Sequence, residues 1–277
     1  MEKVFTQILL DLKIDFSKTI IERLGGGSLG TNTELTPKDF IRFSKQDFAA
    51  KDKKGLINSL TNAKRAIDCQ IDNVLIEFGI EPDSIEKASE SLINEIKLNQ
   101  KDLPFKLKLV QALGLSPGNL TAKVRNLRHK LEHYYKVPKD IEVEEAIEIA
   151  ELFILSIESK TKILDDHFVI SSANFKHIDT LKELKTKKYD ILNPKHFETQ
   201  ICVNFMPYHK KIEIAPLKEL KTLKKINLTA KDSLYYYFIR LVNHLDEQVE
   251  CEEDLKLLLK HCGHPIPSKN VVMAEYY

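Results

Sequence analysis

The chain has 277 residues, 43% of them hydrophobic and 30% charged, with ten prolines and no tryptophan. This is the composition of an ordinary soluble globular protein, long enough for one large domain or two moderate ones. The 42 lysines and arginines stand against 41 acids, a balance of +1, so no global field advertises a nucleic-acid partner and any such binding must be local.

From residue 3 to 24, Val4, Ile8, Leu9, Leu12, Phe16, Ile20, Ile21 and Leu24 fall at helical spacing, and Gly25-Gly26-Gly27 stops the predicted helix. The letters Gly25-x-Gly27-x-x-Gly30 follow a helix instead of a strand, so they read as linker and not as a dinucleotide fingerprint. From Lys38 to about Ile80, Phe40, Phe43, Phe48, Leu56, Leu60, Ile67, Ile71, Val74 and Leu75 again favour helix, with Gly55 as a break or kink. Arg65 and Asp68, three apart there, are expected to pair. Helices follow over 83–98, 103–113 and 117–135, and Pro138 ends the last of these. The next helix, 141–164, begins acid-rich, which complements its dipole.

After Asp166 the pattern turns strand-like at 168–170, 189–192, 201–205 and 211–214, and helices return over 233–245 and 252–261. Leu-Lys-Glu-Leu-Lys-Thr occurs at 181–186 and again at 217–222, which suggests two related β units. The reading is a mainly α chain: residues 1–36 an N-terminal helix and linker, 37–164 an antiparallel helical bundle, and 165–277 a small α+β domain. No stretch approaches the ~20 apolar residues that cross a bilayer, and Met1–Phe5 opens no secretory pattern, so a cytoplasmic location without membrane contact is expected. Cys69, Cys202, Cys251 and Cys262 lie far apart and are expected to be free thiols.

The chemistry concentrates in Val124–Tyr135. Leu120, Val124, Leu127 and Leu131 form one apolar helical face. Arg128 lies about 70° and His133 roughly 150° from that stripe, at about 100° per residue. Lys123, Arg125, Arg128 and Lys130 fall in residues 121–130, which hold no acid, and offer phosphate a local landing place. With His129, Lys130-Leu131-Glu132, His133 and Tyr135 the segment reads Arg-x4-His-x-Tyr. It resembles the HEPN superfamily (higher eukaryotes and prokaryotes nucleotide-binding), over roughly residues 37 to 164. His129 stands where many members have Asn.

The resemblance implies a HEPN-like bundle and a metal-independent endoribonuclease of toxin or phage-defence type. Its site would be composite, formed where two motif copies meet across a homodimer axis. Arg128 and His133 would then be catalytic, with His129, Tyr135, Arg125 and Glu132 in support, and products would carry 2′,3′-cyclic phosphate. In the related branch the tyrosine is the target of a separate MNT nucleotidyltransferase antitoxin, which makes such an antitoxin, or another defence protein, an expected partner. No metal or cofactor is implied.

Two alternatives stay open. One is a non-catalytic HEPN module that binds nucleotide, RNA or a partner protein. The other is a zinc hydrolase, because His129-x-x-Glu132-His133 spells H-x-x-E-H and histidines at i and i+4 share a face. Arg125, Arg128 and Tyr135 have no role in the zinc reading. His261-Cys262-Gly263-His264 lacks a separated matching pair and reads as a helix end. Residues 176–225 hold twelve lysines against six acids, so Lys185, Lys187, Lys188 and Lys221, together with Lys123 and Lys130, are candidate RNA contacts.

Overall fold

The computed structural model describes residues 1–30, 33–97, 103–116, 119–162, 164–173, 197–219, 221–267 and 272–274. The fold is mixed α/β and not mainly α, and it forms two compact units. Unit 1 comprises Met1–Ser28, Glu86–Glu95 and Ile163–Tyr277; unit 2 comprises Leu29–Ile85 and Ile96–Lys162.

Among the described residues, unit 1 is built on a seven-stranded sheet: β1 (Thr19–Gly27), β2 (Leu164–Ala173), β3 (Phe197–Met206), β4 (Lys211–Lys218), β5 (Lys221–Thr222), β6 (Ile226–Leu228) and β7 (Val272–Ala274). Its order is β5-β4-β3-β2-β1-β7, with β6 also on β4. All pairs are antiparallel except β1 with β7. The β3–β4 hairpin keeps register from Thr199↔Lys218 to Met206↔Lys211. Along β4 every second residue is buried, Ile212, Ile214 and Pro216, as the two-residue period of a strand requires.

Against this sheet lie α1 (Glu2–Leu12), α8 (Ser233–Val242) and α9 (Gln248–His261). Helix α8 is apolar around most of its circumference and accordingly buried, with Tyr235, Tyr236, Tyr237 and Phe238 inside. Phe5 of α1 meets Phe238 edge-to-face at 5.4 Å. The short α4 (Glu90–Glu95) also belongs to unit 1: it buries Leu92 and Ile93, and the Tyr237 hydroxyl donates to Glu95 at 2.6 Å.

Unit 2 holds α2 (Pro37–Ala49), α3 (Lys53–Glu77), α5 (Phe105–Ala112), α6 (Asn119–Tyr134) and α7 (Asp140–Thr161). The 25-residue α3 is its axis, packed against α2, α5, α6 and α7 through Leu60, Ala63, Ile67, Ile71 and Val74 among others. Facing it, α7 buries Val143, Ala146, Ile147, Ala150, Phe153, Ile154 and Ile157.

Several expectations are corrected. The helix read over 3–24 ends at Leu12, where Lys13 turns left-handed at φ 51°; Ile20 and Ile21 are instead buried strand residues paired with Ser171 and Ile170. Gly25 and Gly27 are therefore the irregular end of β1, not linker, and a Cβ on Gly27 would come within 3.0 Å of the Asp166 carboxylate. The helix read over 83–98 is a short turn plus α4. The units thus cut across the expected boundaries: 1–28 and 86–95 join the sheet unit, and a mainly α chain with an appended small domain is not what forms.

The break expected at Gly55 falls at 50–52, between α2 and α3. Gly55 sits in the first turn of α3, where its N–H donates to Asp52 at 2.6 Å. The strand read over 189–192 and the first copy of the six-residue repeat, 181–186, lie outside the described residues. The second copy spans the end of β4 and β5, with Glu219 left-handed between them.

Candidate functional site on helix α6

Helix α6 is anchored in unit 2 by Val124 and Leu127, both buried, with Leu131 half-buried at the margin. The side chain of Leu120 lies outside the described set. Beyond this stripe the helix divides its polar residues between two faces.

On one, the Arg128 guanidinium meets the Glu132 carboxylate at 2.7 Å, an i,i+4 pair in which the arginine side chain is 25% exposed. On the other, the exposed rings of His129 and His133 lie 4.3 Å apart, tilted by 42°. His129 also meets Tyr134 edge-on at 5.9 Å. The helix then stops because Tyr135 adopts φ 52°, which leaves its ring 87% exposed.

Arg128, expected to be catalytic, is held by Glu132. Lys123 likewise pairs with Glu145 of α7. Lys130 is exposed, and Arg125 is half-buried in the wall of a cavity between α3, α5 and α6. Arg65 does not pair with Asp68; its guanidinium reaches Asn62, while Asp68 pairs with Lys64. Lys221 is exposed on β5, in the other unit. Lys185, Lys187 and Lys188 lie outside the described residues.

For the zinc alternative, His129 and His133 do share a face, but Glu132 is committed to Arg128. Among the described residues no group of three or more His, Cys, Asp or Glu is arranged to hold a metal. Nor is any described helix long and apolar enough to cross a membrane. All four cysteines are free. Burial pushes the Cys262 thiol up to about 12, and raises Cys251 as well, so neither is a ready nucleophile.

Two polar clusters in unit 1 escaped the sequence reading. In the first, Ser233 Oγ lies 2.9 Å and Glu2 Oε1 3.1 Å from the same nitrogen, Nε2 of His261, whose ring stacks on Tyr237 at 4.3 Å. The Ser233 hydroxyl also donates to Glu2, and this bond, with the His261 charge and hydrogen bond, holds the Glu2 carboxyl below its ordinary range despite some desolvation. A serine–histidine–acid relay needs the hydroxyl and the carboxylate on opposite ring nitrogens. Here both face one, so the cluster orders the α1–α8–α9 junction instead of activating the serine.

In the second cluster, buried Asp254 accepts from Arg240 Nε and faces His244 Nδ1, each at 2.5 Å. Arg240 and His244, one helical turn apart, were legible as a pair, but their shared acid comes ten residues later on α9.

No family model, curated protein or solved structure matches the chain.

Proposed function

We propose that the chain is a metal-independent endoribonuclease of the HEPN type, acting in a toxin or phage-defence setting in the cytoplasm, with α6 as its catalytic helix. The observation that carries this reading is the exposed end of α6. There two imidazoles 4.3 Å apart, a guanidinium and a tyrosine gather within eight residues in the Arg-x4-His-x-Tyr order.

Arg128 and His133 are five residues and hence about 140° apart on the helix, and each is engaged with a different neighbour. One protomer does not aim both at one phosphate, so the reading requires a homodimer whose two α6 helices face each other. His133 of one copy takes the proton of the ribose 2′-hydroxyl, whose oxygen attacks the adjacent phosphorus. The P–O5′ bond breaks, the departing O5′ takes a proton from water, and a 2′,3′-cyclic phosphate and a 5′-hydroxyl result. Arg128 of the second copy, exchanging Glu132 for the substrate, binds the non-bridging oxygens as charge accumulates. His129 packs against His133 and steadies its ring, and the exposed Tyr135 is open to a separate MNT-type antitoxin.

The composite arrangement has its own test. Arg128→Ala and His133→Ala proteins are each inactive, and mixing them restores part of the activity, because a mixed dimer carries one complete site. No recovery, with subunit exchange verified, overturns the composite site.

The Arg128–Glu132 ion pair favours a second reading, in which α6 binds RNA or a partner without cutting. It predicts salt-dependent RNA binding with no cleavage under any of these conditions.

A further inference from the structure

Between α3, α5 and α6 lies a cavity of about 390 Å³, within the size range of small-molecule sites. Its floor is apolar, from Ile67 and Ile71 of α3 and Leu107 of α5. Phe105, 40% exposed, stands in its wall. The polar lining is three cations, Lys64, Lys106 and Arg125, and two carboxylates, Asp68 and Asp72, one helical turn apart on α3.

Those carboxylates are held from one side. Lys64 takes Oδ2 of Asp68, and Lys106 donates to Oδ1 of Asp72 at 2.8 Å. Burial works to lower the Lys106 pKa, but Asp72, assisted by Asp83, outweighs it and keeps the ammonium above its ordinary range. The lysines therefore fix the two carboxylates as acceptors and balance their charge, while each retains a second oxygen. Arg125 precedes Arg128 by three residues, about 4.5 Å along α6 and some 60° around it, so the cavity opens beside the arginine assigned to phosphate.

We propose that this cavity is a base-selecting subsite: it takes a nucleobase bearing an exocyclic amino group, adenine, guanine or cytosine, and rejects uracil, from the nucleotide next to the phosphate at Arg128. The proposal rests on the reading of α6 as an RNA-handling helix. The base stacks on Phe105 over the aliphatic floor, and its amino hydrogens are accepted by Asp68 and Asp72. Guanine adds an adjacent ring N–H, so one carboxylate receives two parallel bonds. Uracil presents two carbonyl oxygens around a single N–H, and these meet the carboxylates with like polarity.

Calorimetric titration of the full-length protein with 5′-AMP, 5′-GMP, 5′-CMP and 5′-UMP tests this apart from any cleavage. The first three are expected to bind about tenfold or more tighter than UMP, the discrimination of one good base contact. The Asp68→Asn/Asp72→Asn protein, checked for folding by its melting curve, should lose that gap. Phe105→Ala should weaken AMP, GMP and CMP while leaving the melting curve in place. Equal affinity for the four nucleotides, no saturable binding of any, or a gap that survives in the double variant each overturns the subsite. RNA cleavage in EDTA is scored separately. Discrimination without cleavage overturns the nuclease reading alone, and cleavage without discrimination overturns the subsite alone.

Discussion

Asp254 shows how much a single side chain carries here: it is 1% exposed and is the shared acceptor of Arg240 and His244. Removing one member of a buried ionic group strands the others, so Asp254→Ala is expected to cost about 3–5 kcal/mol in urea unfolding, far beyond a typical surface change. A loss under ~1 kcal/mol would mean that the cluster is solvated in the native state. On α6 the decisive residue is Glu132, which holds Arg128. Glu132→Gln should release the guanidinium, tighten RNA binding and steepen its salt dependence by about one phosphate contact; a filter-binding titration across salt that is unchanged would show that Arg128 does not meet phosphate. These residues differ in how legible they were. Arg128, Glu132, His129 and His133 share one helix, so spacing alone placed them near one another, although Glu132 was expected in support of the site and not as the ion-pair partner of Arg128. Glu2 and Ser233 are separated by 231 positions, and no local pattern connects them.

At the scale of elements, the α2–α3 corner makes a prediction opposite to helix propensity. Alanine is ordinarily better than glycine inside a helix by up to ~1 kcal/mol, yet a Cβ at Gly55 would sit 2.4 Å from the Asp47 carbonyl oxygen. Gly55→Ala should therefore destabilise by roughly 1–3 kcal/mol, the usual cost of overpacking, and a melt that rises instead would refute the close approach. The other end of α2 is closed by a capping box: Asp39 N–H donates to Thr36 Oγ1, while the Thr36 N–H and hydroxyl donate to the Asp39 carboxylate. Those two donors, with Arg42 nearby, hold the Asp39 carboxyl below its usual value of 3.8. A lowered carboxyl pKa stabilises the fold above the unfolded value and loses that contribution as pH falls through the folded one. Asp39→Asn should thus flatten the drop in melting temperature below pH 4, and an unaltered acid limb would exclude the cap as its source. The helices of unit 2 were readable because each carries its own apolar face and start signal. β1 was not, because Ile20 and Ile21 also continue the helical spacing of Leu12 and Phe16, and what makes them a strand is β2, whose pairing residues begin at Leu164. The sheet core, unlike the bundle core, is written in long-range pairs.

For the whole molecule, the interleaving of the two units has the largest consequence. The chain passes between them after Ser28, Ile85, Glu95 and Lys162, so neither is a continuous segment. A protein truncated after Leu164 keeps α1, β1 and α4 but loses β2, β3 and α8, which cover Phe5, Ile20 and Ile21. It should expose that apolar surface and aggregate on purification, and a soluble, cooperatively melting fragment would contradict the division. Tests of the candidate site therefore belong on the full-length protein. The most direct is incubation of purified protein with mixed RNA in EDTA, comparing the wild-type chain with Arg128→Ala and His133→Ala, and analysis of the product ends. The wild-type protein is expected to cut and leave 2′,3′-cyclic phosphates, and each variant to lose about 10²–10⁴-fold in rate while melting as a folded protein. Full activity in both variants, or no cleavage by the wild-type chain, would contradict the assignment of α6 as a catalytic helix.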